Sequence, residues 1–304
     1  MLQTFDERNR DILVNINGNL VHRDQAAISP FDSAVQAGDA VWEGLRLYDG
    51  KIFRLRQHLD RLRDSARALA FSDIPSHAHI CRQIRRTLDA NHMHDAVHIR
   101  LTLTRGVKIT SGMDPRLNQS GPTLIILAEH KPPVYGSSPI TLITSAIRRW
   151  RSDTLDPKIH HANLLQSICA KIQANAAGAD DALMLDDRGF VAETNATHLF
   201  LVSRGVVETP RCVACPEGIT RSVVLELCRK HDIPHTVRDI SLAEAWRADE
   251  AFCTGTMGEL VPVRAIDGRT PPHAPGPRTT QLTELFRHTV RQEPAWWAEQ
   301  DTTE

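Results

Sequence analysis

Cys215-Pro216-Glu217-Gly218-Ile219-Thr220-Arg221 runs straight into Ser222-Val223-Val224-Leu225-Glu226-Leu227-Cys228. The glycine turns the chain just before a stretch in which Val223, Val224 and Leu227 recur at helical spacing. The pattern predicts an amphipathic helix with Thr220 in its first turn. A helix start carries backbone N–H groups without intrahelical partners at the positive end of the helix dipole. With a hydroxyl beside them, such groups suit an anion such as phosphate. Taken alone, the same residues also describe an ordinary capped helix. Two neighbouring blocks decide between the readings: Val191-Ala192-Glu193-Thr194-Asn195-Ala196-Thr197-His198-Leu199-Phe200 before it, and Cys253-Thr254-Gly255-Thr256-Met257-Gly258-Glu259-Leu260-Val261-Pro262-Val263 after it.

In this order and spacing the three blocks resemble the signature of the fold-type IV pyridoxal-phosphate enzymes. That family holds branched-chain aminotransferases, D-amino-acid aminotransferases and 4-amino-4-deoxychorismate lyases. The resemblance covers nearly the whole chain, from about Val14 to Leu282. It implies an α+β, two-domain architecture with pyridoxal 5'-phosphate in the cleft between domains and a homodimer completing the site. It also implies transamination between an amino acid and a 2-oxo acid, with L-branched-chain substrates favoured by overall likeness. A D-amino-acid aminotransferase, the lyase and a non-catalytic homologue remain the alternatives.

The resemblance carries over residue by residue. Gly218, Ile219 and Thr220 at the helix start, with Pro216 before them, match the family's cofactor-binding turn. Gly255 and Thr256 match its second phosphate loop, where Met257 faces substrate. His58-Leu59-Asp60-Arg61-Leu62 matches H-x-x-R-L, whose arginine holds the phosphate. Glu193 stands where the family places the carboxylate that keeps the ring nitrogen protonated, so that the ring can absorb electrons. On the substrate side, the block from Gly38 to Arg46 supplies Trp42 as a pocket wall, with Arg46. Arg100 occupies the position of an arginine able to hold an acidic side chain, and Arg116 resembles the arginine-bearing loop of the D-amino-acid branch. Three departures bear on substrate: His198 replaces the usual Asn, Pro216 replaces Leu, and Leu164 follows Asn163 where the branched-chain branch has Tyr.

The Schiff-base lysine is the main departure. The family carries it three or four residues before the asparagine that opens a helix, here Asn163. In Asp156-Pro157-Lys158-Ile159-His160-His161-Ala162-Asn163 those places hold His160 and Ile159, and Lys158 is five back. An extended segment would put Lys158 and His160 on one face, displaced by roughly 6–7 Å. Either Lys158 reaches the cofactor, or His160 replaces the lysine and no imine with the protein forms.

The 304 residues divide into 36 basic and 37 acidic side chains against the rest, so charge gives no reason to expect nucleic acid or an anionic membrane. The longest apolar run, Leu124-Ile125-Ile126-Leu127-Ala128, is far too short to span a bilayer. The polar N-terminus lacks an apolar signal-peptide region, which predicts a soluble cytoplasmic protein. Cys212-Val213-Ala214-Cys215 is a lone C-x-x-C without a second pair at zinc-finger spacing, read as free thiols with a redox switch as the alternative. His92-Met93-His94-Asp95-Ala96-Val97-His98 lacks the glutamate of H-E-x-x-H and crosses a helix-to-strand boundary, so no metal site is expected.

Along the chain, hairpins are predicted about Asn17-Gly18 and Asp49-Gly50, helices over 55–71 and about 77–91, and strands over 98–104 and 123–128. Residues 105–119 read as a loop over a site. The prolines and the Gly-Ser-Ser-Pro of 129–139 predict an interdomain linker between a small N-terminal α+β domain, 1–128, and a large cofactor-binding domain, 140–304. That second domain is expected to hold a strand at 140–147, helices at 163–177 and 278–291, hairpins about 186–189 and 203–205, and a capping box from Ser241 to Glu244. The last dozen residues are expected to be loosely held.

Overall fold

The computed structural model describes residues 3–136 and 138–294, which form two compact units. One unit holds residues 3–132, Ile159–Asn163 and 292–294. Its strands are β1 (Leu13–Ile16), β2 (Asn19–His22), β3 (Ala40–Tyr48), β4 (Lys51–Ile52), β5 (Val97–Thr104) and β6 (Thr123–His130). They form an antiparallel sheet in the order β2-β1-β6-β5-β3-β4. Helices α1 (Ser33–Ala37), α2 (Leu55–Ala68) and α3 (His77–Ala90) belong to the same unit.

Local chemistry sets these elements. Asn17 (φ 51°) and Gly18 (φ 84°) make the two-residue loop between the paired Ile16 and Asn19. Asp49 and Gly50 do the same between Tyr48 and Lys51. Positive φ at both positions matches the turn to the right-handed twist of the strands. On α2 the stripe Leu55, Leu59, Leu62 and Ala66 is buried in one core with Ile80 and Ile84 of α3 and Leu45, Leu47, Ile99 and Leu101 of the sheet. Each such fully buried leucine or isoleucine contributes about 1.5–3 kcal/mol relative to exposure.

Residues 159–163 join this unit from far along the chain. The Trp42 N–H donates to the His160 carbonyl at 3.0 Å, the Ala162 N–H donates to the Ala40 carbonyl at 2.8 Å, and Val41 bridges His161. β4 pairs only with Leu47 and Tyr48 at the far end of β3, so the incoming segment lines the earlier part of the strand.

The other unit holds Pro133–Lys158 and Leu164–Arg291, apart from residue 137. In chain order its elements are β7 (Ile140–Thr144), α4 (Leu165–Ala176), β8 (Asp181–Leu185), β9 (Val191–Thr194), β10 (His198–Ser203), β11 (Val206–Pro210), α5 (Ile219–Lys230), β12 (His235–Arg238), α6 (Leu242–Trp246), β13 (Glu250–Gly255), β14 (Glu259–Ile266) and α7 (Pro277–Arg291). The sheet order is β12-β11-β10-β13-β14-β7-β8-β9, with parallel pairings at β11/β12, β14/β7 and β7/β8. Leu142, Leu183, Leu199, Leu201, Cys253 and Val263 lie in its main core, while Ala170 and Ala174 of α4 pack with Ala182 and Met184 of β8.

The stretch predicted as a linker divides between the units. β6 runs on to His130, whereas the Val134 N–H donates to the Met257 carbonyl at 3.0 Å and the buried Tyr135 hydroxyl donates to Asp181. These bonds fasten its second half into the core of the C-terminal unit, so composition alone overstates its independence. The capping box at α6 is present, Ser241 and Glu244 each closing on the other's backbone. Glu193 lies within β9. The tail expected to be loosely held lies, from 295 onward, outside the described residues. Among the described residues no helix is long and apolar enough to cross a membrane.

Candidate functional site

α5 starts at Ile219 with Gly218 as its N-cap and no side chain capping it. The first i to i−4 bond runs from the Ser222 N–H to the Gly218 carbonyl at 2.9 Å. The N–H groups of Ile219, Thr220 and Arg221 therefore precede the helical ladder, which is the arrangement that receives an anion. Thr220 is buried and Ile219 half-buried. Gly218 has an ordinary φ of −69°, so its role is steric. A Cβ there would lie 2.5 Å from Cε1 and 2.6 Å from Nδ1 of His198. That ring in turn donates from Nε2 to the Pro216 carbonyl at 2.8 Å.

Gly255, Thr256 and Met257 form the half-buried turn from β13 to β14, closed by Gly258 N–H donating to the Gly255 carbonyl at 3.2 Å. A Cβ at Gly255 would stand 3.1 Å from the Thr197 methyl. Beside this turn, the buried Thr254 Oγ1 has no hydrogen-bond partner among the described residues. A buried hydroxyl left over in this way marks a place where a polar group is wanted.

Glu193 on β9 is 5 % exposed, and its Oε1 forms an ion pair with Arg149 Nη2 at 2.8 Å. Its Oε2 lies 3.9 Å from His198 Nε2. Arg149 also donates from Nε to the Ala214 carbonyl at 3.2 Å and from Nη1 to Ser167 Oγ at 3.1 Å. This guanidinium thereby ties the carboxylate to the loop before α5 and to α4. Nothing in the run Arg148-Arg149-Trp150-Arg151 distinguishes it by sequence. In the same loop Cys212 and Cys215 lie beside His198. The neighbouring Cys215 and His198 pull the Cys212 thiol down, and Cys212 together with burial pushes Cys215 up. The more buried sulfur keeps the proton.

The N-terminal unit carries a second polar cluster around Glu43, which is fully buried. Arg61 donates to it from Nε at 2.7 Å and from Nη2 at 2.7 Å, and His58 Nδ1 stands 2.6 Å away. Burial pushes the Glu43 carboxyl up, but the adjoining Arg61 and His160 outweigh burial and hold it well below the usual range. Burial pulls the His58 imidazole down. The reading of H-x-x-R-L assigned a task to Arg61 alone; the histidine that opens the motif and Glu43 on β3 are the residues it missed.

His160 belongs to this cluster. Its Nδ1 lies 2.5 Å from the Trp42 carbonyl and 3.3 Å from Glu43 Oε1, and its N–H donates to Ser65 Oγ at 3.0 Å. Its ring stacks on Trp42 with centroids 4.5 Å apart. Two acceptors face Nδ1, which therefore carries a proton, so a neutral ring has its lone pair on Nε2. Lys158 is elsewhere. The Asp156 side chain accepts its N–H at 3.0 Å, which turns the chain, and Lys158 itself is exposed. The extended geometry that would align Lys158 with His160 is absent, because an Asx turn takes its place.

The other predicted substrate residues are placed as follows. Arg46 is buried with Nε and Nη1 unpartnered among the described residues, opposite His98 in the sheet. Arg100 lies across from Gly44 and covers the Trp42 ring at 3.9 Å. Arg116 is exposed and bound to Asp114 in its own turn.

These residues fit pyridoxal 5'-phosphate in two respects. An uncapped helix start and a threonine turn suit its phosphate, and a buried carboxylate suits its ring nitrogen. A covalent anchor is the respect in which they do not fit: position 160 holds an imidazole, and the nearby lysine is turned to solvent.

Comparison with known proteins follows the same lines. The family model described as amino-transferase class IV matches residues 40–266. The chain is 52 % identical over 281 residues, 92 % of its length, to branched-chain-amino-acid aminotransferase-like protein 2 of Arabidopsis thaliana, and covers 50 % of that protein. It thus spans about half the length of that relative. It is 41 % identical to a putative branched-chain-amino-acid aminotransferase of Methanocaldococcus jannaschii, over 90 % of this chain and 95 % of the other. Among solved structures, the branched-chain amino acid aminotransferase of Thermobaculum terrenum in its PLP-form superposes with a TM-score of 0.83 at 27 % identity, covering 93 % of this chain and 94 % of that one. The Escherichia coli branched-chain amino acid aminotransferase gives 0.86 at 26 %, covering 92 % and 95 %.

Proposed function

The chain belongs to the amino-transferase class IV family, and from that premise we propose that it binds pyridoxal 5'-phosphate and transfers an amino group between an L-branched-chain amino acid and a 2-oxo acid. The reading rests on one observation: the uncapped start of α5 and the arginine-held carboxylate of Glu193 belong to one unit. The helix N–H groups, Thr220 and Thr256 would hold the phosphate; the resemblance that assigns Arg61 to the same task is part of this proposal. Glu193 keeps the ring nitrogen protonated, and Arg149 fixes the carboxylate that does so. When bound, the cofactor supplies the electron sink for breaking bonds at the amino acid's α-carbon. Trp42, Arg46, Arg100 and Met257 belong to the substrate side. Arg100 receives an acidic side chain when the partner substrate carries one, and a D-amino-acid substrate would shift that role to Arg116. A cytoplasmic homodimer is part of the same proposal.

A second reading has its own observation. His160 sits locked between Trp42 and Glu43 where the resemblance expects a lysine, and an imidazole cannot form the stable imine that an amine forms. On this reading the chain holds the cofactor without a covalent bond and does not turn over.

One experiment separates the two. The protein is loaded with cofactor, treated with borohydride and mapped by peptide mass. A reduced adduct on Lys158 supports transamination. Cofactor that leaves on dialysis, with no lysine modified, sinks that reading and leaves the non-covalent binder.

A further inference from the structure

We propose that His198, Cys212 and Cys215 form a binding site for a divalent cation of the zinc type, held by one imidazole nitrogen and two sulfurs. The ligand atoms of these residues all lie within 4.8 Å of one another. A tetrahedral zinc site with bonds of about 2.0–2.3 Å needs its ligand atoms somewhat closer than that, so a small side-chain adjustment closes the site.

The fold explains the convergence. β10 begins at His198 and returns through Arg204 and Gly205 as β11, pairing Ser203 with Val206 and Leu201 with Glu208. The chain leaving β11 at Pro210 is therefore back beside the start of β10, and the next residues are the C-x-x-C loop. Cys212 and Cys215 lie three apart, a spacing that lets two sulfurs of one turn address one ion.

The His198 ring is fixed through one of its nitrogens. Its Nε2 donates to the Pro216 carbonyl at 2.8 Å, which puts the lone pair of the neutral ring on Nδ1. A ring nitrogen that donates to a carbonyl while the other binds metal is the usual outer-shell pattern, and it fixes both tautomer and ring plane. Two soft sulfurs with one imidazole select zinc over magnesium or calcium. His198 and Cys215 are buried and Cys212 is half-buried, so the ion enters past Cys212. Three protein ligands leave a fourth position for water.

Binding forms two metal–thiolate bonds, releases to solvent the thiol proton that the pair holds, and requires no oxidant. The site is independent of the reading proposed above, since none of its residues is assigned to the transamination steps.

The test uses the full chain, reduced and stripped by chelator, then titrated with Co²⁺ and Zn²⁺. One equivalent of cobalt is expected to give a thiolate-to-cobalt charge-transfer band that zinc then removes. Cys212→Ser and His198→Asn should each weaken zinc binding by more than the roughly 10- to 100-fold that loss of an outer-shell partner costs. Cys212→Ser, at the half-buried position, is the variant expected to keep the parent's melting temperature. Absence of the charge-transfer band in the parent overturns the proposal, as does zinc affinity unchanged in Cys212→Ser. A parent that takes no metal but forms a Cys212–Cys215 disulfide in air also overturns it, making the pair a redox element.

Discussion

Arg61 holds Glu43 with two parallel hydrogen bonds, Nε to Oε1 and Nη2 to Oε2, each 2.7 Å long. The carboxylate is fully buried, so its ionised form depends on this fork and on the histidines around it. Arg61→Ala should therefore cost about 3–5 kcal/mol, the range for removing one partner of a buried ion pair. Replacing both residues by apolar ones of similar size should cost less. Urea unfolding of the single and double variants measures the difference; an Arg61→Ala protein as stable as the parent would show that the pair contributes nothing.

Acid should unfold the protein earlier than its surface charge suggests. Burial, with the nearby Lys131, Arg46 and Arg100, pulls His98 from 6.5 down to about 3. Below pH 6.5 the unfolded chain takes up a proton that the folded His98 refuses until about pH 3, so stability falls across that window. Glu43 acts in the same direction. Its depressed folded pKa gives stability that is complete above its ordinary 4.5 and is lost as pH falls through the folded value. Melting temperature against pH should be flatter below 6.5 for His98→Gln than for the parent. Identical slopes would remove His98 from the account.

Gly218→Ala isolates the steric demand at the start of α5. Backbone strain plays no part at a φ of −69°, but the new methyl would press on the His198 ring at 2.5 Å. Overpacking of this kind costs typically about 1–3 kcal/mol. A thermal melt checks it, and a neutral outcome would mean that the ring yields freely.

If Glu193 manages the ring proton, Glu193→Gln should retain cofactor and lose activity by ~100- to 10,000-fold, the range for removing one proton-handling group. Cofactor content from absorbance and turnover from a coupled assay distinguish this from simple loss of binding. Full activity in the variant would assign the task to another residue.

A substrate panel tests the branch. L-leucine and L-valine with 2-oxoglutarate should be used faster than D-alanine or aminodeoxychorismate. D-alanine leading would move the substrate contact from Arg100 to Arg116 and place the chain on the D-amino-acid side.

Much of this was legible in residue order. The x-Gly hairpins at Asn17-Gly18 and Asp49-Gly50, the α2 stripe and the capping box at Ser241 follow from local rules that tertiary packing did not override. Long-range partnerships were not legible. Arg149 looks like any arginine in a basic run until β9 brings Glu193 to it. Glu43 reads as one polar residue in a strand, and only the helix packed on β3 supplies His58 and Arg61. The segment 156–163 misled for a local reason, since an aspartate two residues ahead of Lys158 turned a stretch that composition left open.

The five residues 159–163 that line β3 make the molecule's parts impossible to separate at a single cut. A fragment ending at 132 would keep Glu43, Arg61 and Trp42 yet lack His160, the residue that Glu43 and Trp42 hold. Exchange by recombination meets the same obstacle. Any breakpoint between 132 and 159 would deliver a histidine or lysine from one parent into a cradle shaped by the other. The residue at 160 and the glutamate at 43 are therefore inherited together or mismatched together, however far apart they lie along the gene.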